Sequence, residues 1–224
     1  MSTVQLACLD MAGTTVADDG LVERAFEDAL DRLGVDPADR GRMVTYVKDT
    51  MGTSKIEVFR ALFGDEDRAQ RANSVFEAAF DDQVGAGAVR SLPGAADAID
   101  RLRSGGVKVA LTTGFSPHTR QLLLEVLGWE QLADLALSPA DAGRGRPYPD
   151  MILTALLRLG VDSVQAVAVA GDTEVDMASG RRAGASVVAG VLTGADDRER
   201  LLRGGATHVL DSVADLPALL GVTG

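Results

Sequence analysis

Short apolar runs alternate with helical patterns through the second half of the chain. The runs predict strands over residues 107–111, 133–137, 164–170, 186–191 and 208–210. Apolar positions repeat with helical spacing over residues 94–104, 116–127, 149–159, 174–183, 195–203 and 212–220. Such alternation is typical of βαβ units, in which helices cover both faces of a parallel sheet.

A different pattern lies between the first apolar run, residues 4–9, and residue 88. Helical spacing recurs over 54–63 and 67–84. An earlier helical stripe ends at Gly34 and consists of Leu21, Ala25, Ala29, Leu30 and Leu33. We find no strand pattern between residues 17 and 88, so the sequence predicts an all-helical module inserted after the first strand.

Polar residues directly follow three of the apolar runs. Asp10-Met-Ala-Gly-Thr-Thr15 follows the first run, and Thr112-Thr113-Gly114 and Gly171-Asp172-Thr173 follow two later ones. Right-handed crossovers bring the carboxyl ends of parallel strands to one edge of a sheet. Because ligands of open α/β sheets bind at that edge, we expect these three segments to form a site.

The residue types in these segments suit the chemistry of phosphoryl groups. An aspartate such as Asp10, surrounded by small residues, can attack phosphorus and carry an aspartyl-phosphate. Asp10, Asp172 and Asp176 supply the hard oxygen ligands that Mg²⁺ prefers. Thr113 and Gly114 can bind phosphate through a hydroxyl group and a backbone N–H.

Several of these residues also have an ordinary structural interpretation. Asp172 can cap the helix that follows it, and Thr112 suits a polar turn between a strand and a helix. An arginine in a polar loop, such as Arg146, is often a surface residue. The convergence of the segments favours a site in which Arg146 orients the phosphoryl group and the nucleophile.

Composition and charge narrow the class of partner. The 224 residues are 46% hydrophobic and 25% charged, and a formal net charge of -11 argues against nucleic acid as a partner. No apolar run is long enough to cross a membrane, and we find no signal-peptide pattern at the amino terminus. Since Cys8 is the single cysteine, we expect a reducing, cytoplasmic location.

The polar segments, in this order and spacing, resemble the haloacid dehalogenase-like (HAD) hydrolase superfamily. The resemblance implies a Rossmann-like α/β core, residues 1–15 and 89–224, with an all-helical cap inserted over residues 16–88. Hinges near 15–19 and 85–91 would let the cap close over the site. Mg²⁺ is the implied cofactor. By this resemblance Asp10 is the nucleophile and Thr113 is the phosphate ligand. Arg146 is the basic residue, and Asp172 and Asp176 form the acidic pair.

A finer resemblance is to the phosphonatase branch of this superfamily. It rests on Ala12, on Gly145-Arg-Pro-Tyr-Pro149 and on the cap motif Met51-Gly-Thr-Ser-Lys55-Ile56. In that branch the cap lysine forms a Schiff base with the substrate aldehyde, so Lys55 is the implied amine and is expected to point toward Asp10. The resemblance also places Ala12 in the metal site and implies substrate contacts at Ala12, Gly13, Thr14, Met51, Gly114 and Phe115.

The pairing of Ala12 with Lys55 is chemically coherent. Breaking a P–O bond releases an alkoxide that needs a proton from a general acid, and Ala12 cannot donate one. Breaking a P–C bond releases a carbanion, which a protonated imine on Lys55 would accept as an enamine. The sequence therefore favours Mg²⁺-dependent cleavage of phosphonoacetaldehyde or a related small phosphonate.

Two positions depart from the phosphonatase pattern. Val58 stands where that branch has a histidine, and Phe115 stands where it has a tyrosine. The two histidines of the chain are His118 and His208. We expect His118 either near the edge of the core, where it would assist proton transfer, or on a helix surface.

Alternative functions remain open at this point. A phosphatase of the same superfamily would act on a small phosphate monoester without a Schiff base. A non-catalytic sensor of a phosphorylated metabolite is disfavoured by the retained nucleophile, and dehalogenation is disfavoured by the acidic pair. Caps of this branch often support homodimers, so the apolar residues Leu21, Val22 and Phe26 would lie either on such an interface or in the core of the cap.

Overall fold

Six parallel strands form one sheet in the order β3-β2-β1-β4-β5-β6. This computed structural model describes residues 4–222, so the first three and last two residues of the expected core lie outside the described residues. The strands are β1 (Leu6–Asp10), β2 (Lys108–Thr112), β3 (Leu135–Leu137), β4 (Val167–Gly171), β5 (Val187–Val191) and β6 (His208–Leu210). The sheet confirms the expected Rossmann-like α/β core.

Strand β1 lies in the middle of the sheet, and all five of its residues are buried. Ala7 and Leu9 belong to the apolar cluster on one face, whereas Leu6 and Cys8 belong to the cluster on the other. A strand covered on both faces reads as a continuous apolar run, which is why β1 lacks alternation in the sequence. Its register places Asp10 opposite the last residue of β2, at the carboxyl edge of the sheet.

The helices of the core follow the expected pattern with small shifts. They are α5 (Ala95–Ser104), α6 (Pro117–Leu127), α7 (Pro139–Ala142), α8 (Asp150–Arg158), α9 (Glu174–Ala183), α10 (Arg198–Gly204) and α11 (Leu216–Leu219). The short helix α7 was not predicted. The strand expected over 164–170 begins only at Val167, because a 3-10 turn covers the three residues before it. The last predicted helix is divided into a 3-10 turn, Val213–Asp215, and α11.

Four helices lie between β1 and α5, and they account for the predicted helical module. They are α1 (Leu21–Arg32), α2 (Pro37–Asp49), α3 (Lys55–Phe63) and α4 (Glu66–Gly85). The apolar pattern predicted α1, α3 and α4 but not α2. Helix α2 buries only Met43 and Val47, so it has no continuous apolar stripe. Its start signals are present, since Asp36 accepts the N–H of Ala38 at 2.9 Å and proline follows directly.

Aromatic side chains form the centre of the cap. The rings of Phe26 and Phe59 stack with centroids 4.6 Å apart, and Phe76 packs against Phe26 at 5.5 Å. Leu21, Val22 and Phe26 are each at most 2% exposed. These three residues therefore belong to the packed interior of the cap, and the suggestion that they lie on a dimer interface is wrong.

The two chain segments that join cap and core run side by side. Val16 pairs with Ser91 in an antiparallel bridge, and the N–H of Ala17 donates to Arg90 O at 2.9 Å. Asp19 (φ 43°) and Gly20 (φ 75°) then turn the chain into α1. Both connections lie close to the predicted hinges. No helix among residues 4–222 is both long and apolar enough to span a membrane.

Candidate active site

Asp10 lies buried at the carboxyl end of β1, in contact with a buried arginine. Arg146 Nη2 lies 2.5 Å from Asp10 Oδ1, and Arg146 Nε lies 2.6 Å from Asp176 Oδ1. All three side chains are less than 8% exposed. One guanidinium group thus holds the candidate nucleophile and one carboxylate of the acidic pair in fixed positions.

The loop after β1 depends on glycine for a close approach to Asp172. Gly13 has φ 84°, and a Cβ atom there would overlap the Asp172 carboxylate. Thr14 Oγ1 donates to Asp172 Oδ1 at 3.0 Å and is fully buried. Thr14, expected among the substrate contacts, therefore supports the acidic residue and does not line the cavity described below.

Asp172 is held from its other side by the loop after β5. The N–H of Ala195 donates to Asp172 Oδ2 at 2.9 Å, and a Cβ atom at Gly194 would overlap the same carboxylate. The next residue, Thr173, caps α9 and hydrogen-bonds to Asp176. The helix cap expected at Asp172 is thus supplied by Thr173, which leaves Asp172 directed toward Asp10.

The three carboxylates form a cluster that fits a divalent cation. Asp10, Asp172 and Asp176 each offer an oxygen atom within 4.8 Å of the others. Burial raises the pKa of Asp10 to about 7, and Arg146 opposes this effect while Asp176 adds to it. Burial and the nearby carboxylates also raise the pKa of Asp172 well above its usual value. One arginine leaves negative charge uncompensated here, and hard carboxylate oxygens are the ligands that Mg²⁺ prefers. Ala12 has no side-chain ligand atom, so only its carbonyl oxygen can belong to a metal site.

Thr112 has a role that the sequence did not reveal. Its Oγ1 accepts a hydrogen bond from Arg146 Nη2 at 2.8 Å. The guanidinium group is therefore held by Thr112 as well as by its two carboxylates. Thr112 is more than the polar turn residue that we expected, and only the parallel register of β1 and β2 brings it to Arg146.

The cap loop 51–54 packs directly on three loops of the core. Gly52 has φ 83°, and a Cβ atom there would overlap Thr173 Oγ1 and lie 2.8 Å from Val175 Cγ2. A Cβ atom at Gly114 would lie 3.0 Å from Thr53 O, and one at Gly145 would lie 2.9 Å from Ser54 Cβ. Arg146 Nη1 also donates to Gly52 O at 3.4 Å. The glycines of the cap motif and of the core motifs thus permit a close contact that fixes the start of α3.

Lys55, the first residue of α3, is directed into the space beneath this loop. The side chain is 7% exposed, and Nζ lies 5.7 Å from the centroid of the Phe115 ring. Burial lowers the pKa of Lys55, and this effect is partly offset by Asp18 and, to a smaller extent, by Asp10. A lysine with a lowered pKa is more easily deprotonated to the nucleophilic amine.

Phe115 links this site to the aromatic core of the cap. Its ring packs against Phe80 at 4.6 Å and against Phe76 at 6.4 Å. It occupies the position where the phosphonatase pattern has tyrosine, and here it supplies an apolar contact without a hydroxyl group. Val58, in place of the pattern's histidine, is likewise buried in the cap at 3% exposure.

One cavity of about 240 Å³ brings these groups together. Asp10, Arg146 and Asp172 line its polar part, and Lys55 lies on its wall. Most of the expected substrate contacts also line it, namely Ala12, Gly13, Met51, Thr113, Gly114 and Phe115. The nucleophile, the basic residue and the cap lysine, far apart in the sequence, are therefore neighbours in the folded chain.

Asp18 lines the same cavity and was not predicted. Its Oδ1 accepts the N–H of Val22 at 3.1 Å at the start of α1. Burial raises the pKa of Asp18, and Lys55 is the cation that most opposes this effect. No motif indicated this residue; only its place in the cap hinge brings it to the site.

The two histidines lie elsewhere. His118 has a side chain that is 71% exposed, and its Nε2 lies 2.9 Å from Asp81 Oδ2 on the cap helix α4. His208 is exposed on β6 and contacts Thr207. Neither lines the cavity, so His118 has the surface position that we considered, and the suggestion that it assists at the site is wrong.

The fold and site define a class of hydrolase. The haloacid dehalogenase-like hydrolase family matches residues 4–184, and the chain belongs to that family. It is 29% identical to the phosphonoacetaldehyde hydrolase of Nitratidesulfovibrio vulgaris over 252 residues, covering 95% of this chain and 88% of the relative.

Solved structures show the same relationship. A phosphonoacetaldehyde hydrolase-like protein of Oleispira antarctica superposes with a TM-score of 0.84 at 26% identity, covering 98% of this chain and 92% of that one. A predicted phosphoglycolate phosphatase of Haemophilus somnus superposes with a TM-score of 0.80 at 17% identity, covering 98% and 99%. The second likeness shows the fold alone.

Proposed function

We propose that this hydrolase cleaves the P–C bond of phosphonoacetaldehyde or a related small phosphonate. The observation that carries the proposal is the placement of the buried Lys55 amine and the Asp10 carboxylate on one cavity, with Ala12 in place of a second carboxylate. Relatives named phosphonoacetaldehyde hydrolase support the choice of substrate. The proposal divides the cavity into a phosphoryl end and a carbonyl end.

At the phosphoryl end, Asp10 is the nucleophile. Thr113 and Arg146 bind the oxygens of the substrate, and Arg146 also holds the Asp10 carboxylate at 2.5 Å. Mg²⁺, held by Asp10, Asp172, Asp176 and the carbonyl of Ala12, would supply positive charge that offsets the charge of the phosphoryl oxygens. The cap loop above Thr173 excludes water from this end while the substrate is bound.

At the carbonyl end, the neutral amine of Lys55 attacks the aldehyde carbon. The carbonyl oxygen takes up two protons, one from the attacking nitrogen and one released earlier by the Lys55 ammonium, and leaves as water, which produces a protonated imine on Lys55. Asp10 then attacks phosphorus, and the electron pair of the breaking P–C bond moves into the imine to form an enamine. Water hydrolyses the aspartyl-phosphate, and protonation at carbon followed by hydrolysis of the imine releases the aldehyde and restores Lys55.

Ala12 is consistent with this order of events. The leaving carbon needs an electron acceptor and no general acid beside the nucleophile, because the imine takes the electron pair. A carboxyl group at position 12 would serve an alkoxide leaving group instead. The apolar Phe115 ring beside Nζ keeps the amine desolvated, which favours its neutral form.

Phosphate release from phosphonoacetaldehyde with Mg²⁺, in the presence and absence of borohydride, tests the proposal. We expect Lys55→Arg and Asp10→Asn to abolish release, and borohydride to trap an adduct on Lys55 in the wild type. Lys48→Arg is the matched control, because Lys48 is an exposed cap lysine paired with Glu23 at 2.7 Å. Release that continues in Lys55→Arg would refute the Schiff base.

A phosphatase acting on a small phosphate monoester is the second candidate. The observation that favours it is that no histidine among residues 4–222 lines the cavity, because imine formation needs proton transfer near the amine. The same preparations, tested against a panel of phosphate esters, decide between the two. Ester turnover that survives Lys55→Arg, together with no trapped adduct, would favour the phosphatase.

A further inference from the structure

Asp18 and Lys55 both line the cavity of the candidate site. Asp18 lies in the hinge segment 15–19, and Lys55 begins α3, so both lie where the cap meets the core. In the proposed function, Asp10 and the acidic pair belong to the phosphoryl end. A carboxylate at the amine's end has no part in the chemistry of phosphorus described above.

The Asp18 carboxylate is held in place by one of its oxygens only. Oδ1 accepts the N–H of Val22 at 3.1 Å, and the backbone of the preceding residue is fixed by the 2.9 Å hydrogen bond from Ala17 N to Arg90 O. Among residues 4–222, Oδ2 accepts no hydrogen bond. The side chain is thus oriented by the helix start and retains one oxygen for another partner.

Other charged groups near Lys55 are already engaged. They are Asp10, Arg146 and Asp172, and each forms part of the phosphoryl end. Asp10 must attack phosphorus, and Asp172 accepts hydrogen bonds from Thr14 and Ala195. Among these charged groups, Asp18 does most to raise the pKa of Lys55 against the effect of burial. Lys55 is likewise the cation that does most to lower the pKa of Asp18.

Lys55 needs such a partner. Within the described part of the chain, Nζ forms no salt bridge, and the centroid of the Phe115 ring lies 5.7 Å away. The amine enters the reaction by losing a proton, and the carbinolamine oxygen leaves by gaining one. Position 58, on the next turn of α3, holds a valine that can do neither.

We propose that Asp18 is the proton-transfer residue of Lys55, an inference that rests on the Schiff-base function proposed above. Its carboxylate takes a proton from the Lys55 ammonium, directly or through one water, and frees the lone pair that forms the C–N bond. Attack leaves the nitrogen positive and the oxygen negative; Asp18 protonates that oxygen and takes one N–H proton, which gives the neutral carbinolamine. Asp18 then returns this second proton to the hydroxyl group, which leaves as water while the C=N bond forms. Both protons of the water thus come from the Lys55 nitrogen, and Asp18 ends as the carboxylate.

Asp18→Asn tests this role with little change of structure, because the amide oxygen still accepts the N–H of Val22. We expect kcat for phosphate release from phosphonoacetaldehyde to fall about 100-fold, since a positioned acid–base group contributes on the order of 100- to 10,000-fold. KM should change less than about threefold. The rate at which the imine forms in a single turnover, measured by borohydride trapping, should fall in parallel with kcat. Asp18→Glu should recover part of both rates.

Asp36→Asn is the matched control. Asp36 is exposed and accepts the N–H of Ala38 at 2.9 Å at the start of α2, so it has the same capping role away from the cavity. We expect Asp36→Asn to have the kcat of the wild type and the melting temperature of Asp18→Asn. A large loss of kcat in Asp18→Asn with equal stability supports proton transfer.

The outcomes separate this inference from the function on which it rests. A wild-type enzyme that forms no trapped adduct overturns both. A wild-type adduct that forms at an unchanged rate in Asp18→Asn overturns the role of Asp18 and leaves the Schiff base intact. If Asp18→Asn raises KM alone and the adduct forms at the normal rate at saturating substrate, the role of Asp18 is also overturned.

Discussion

Replacing Gly52 by alanine should separate closure of the cap from stability of the fold. Gly52 has φ 83°, where an L-residue costs about 1–2 kcal/mol. Its Cβ atom would also overlap Thr173 Oγ1 and lie 2.8 Å from Val175 Cγ2. Thr173 cannot rotate away cheaply, because its hydroxyl caps α9 and hydrogen-bonds to Asp176. Overpacking of this kind costs roughly 1–3 kcal/mol.

The two costs act on different equilibria. Backbone strain is present whether the cap is open or closed, whereas the overlap with Thr173 exists only when the cap contacts the core. Lifting the cap loop relieves the overlap, so about 1–3 kcal/mol should be lost from the closed state. Because each 1.36 kcal/mol corresponds to a factor of about ten, the equilibrium constant of closure should fall roughly 5- to 150-fold, and turnover should fall with it once the closed form is no longer in excess.

The assay pairs turnover with the reactivity of Lys55 toward an amine-modifying reagent, followed by mass spectrometry. We expect the Gly52→Ala substitution to expose Lys55 to the reagent. The melting temperature of this variant should fall only slightly. Gly64→Ala is the control, since Gly64 has φ 63° and open space where a Cβ atom would lie. Equal turnover and equal Lys55 labelling in the two variants would refute the argument that Gly52 governs closure.

Two further predictions concern the polar end of the site. The raised pKa of Asp10, about 7 against a usual 3.8, means that the folded protein binds more protons than the unfolded chain between those values. Metal-free protein should therefore lose stability as the pH rises through this window, and Mg²⁺ should raise the melting temperature more at pH 8 than at pH 5. An equal Mg²⁺ effect at both values would contradict this, and Asp10→Asn should flatten the pH dependence. Thr112→Val removes the 2.8 Å hydrogen bond from Arg146 and should cost about 2 kcal/mol of stability with a loss of turnover. Thr45→Val, at an exposed position of α2, should change the free energy of unfolding by less than about 0.5 kcal/mol in the same denaturation assay; equal losses in the two variants would contradict the importance of the Thr112 contact.

The sequence predicted the parts of the fold that repeat a simple pattern. Apolar runs revealed the strands because a parallel sheet covered on both faces buries every residue of β1. Helix α2 was missed because only Met43 and Val47 are buried, and a helix with so narrow an apolar face leaves no stripe to detect. Asp36 and Pro37 are start signals of this helix, but they carry no information about its length.

The residues of the candidate site that directly follow strands were predictable from the sequence. The residues whose positions depend on tertiary packing were not. Asp10 and Asp172 follow apolar runs, so topology alone brings them together. The contact of Thr112 with Arg146 depends on register between strands. The position of Asp18 depends on the hinge that turns the chain into α1, and no spacing in the sequence records it. The division of the chain into core and cap at residues 15 and 89, the dimer and the cytoplasmic location stay predictions.

The choice between P–C and P–O cleavage depends on two positions that only the closed cap unites. Ala12 lies on the core beside the nucleophile, and Lys55 lies on the cap; both line one cavity because Gly52, Gly114 and Gly145 allow the loops to touch. A carboxyl group at position 12 would act in an open or a closed cleft, whereas in the proposed mechanism the Lys55 amine would act only when the cap is closed. Cap closure is therefore part of the chemistry that we propose for this enzyme, and substrates too large for a cavity of about 240 Å³ should be excluded from it.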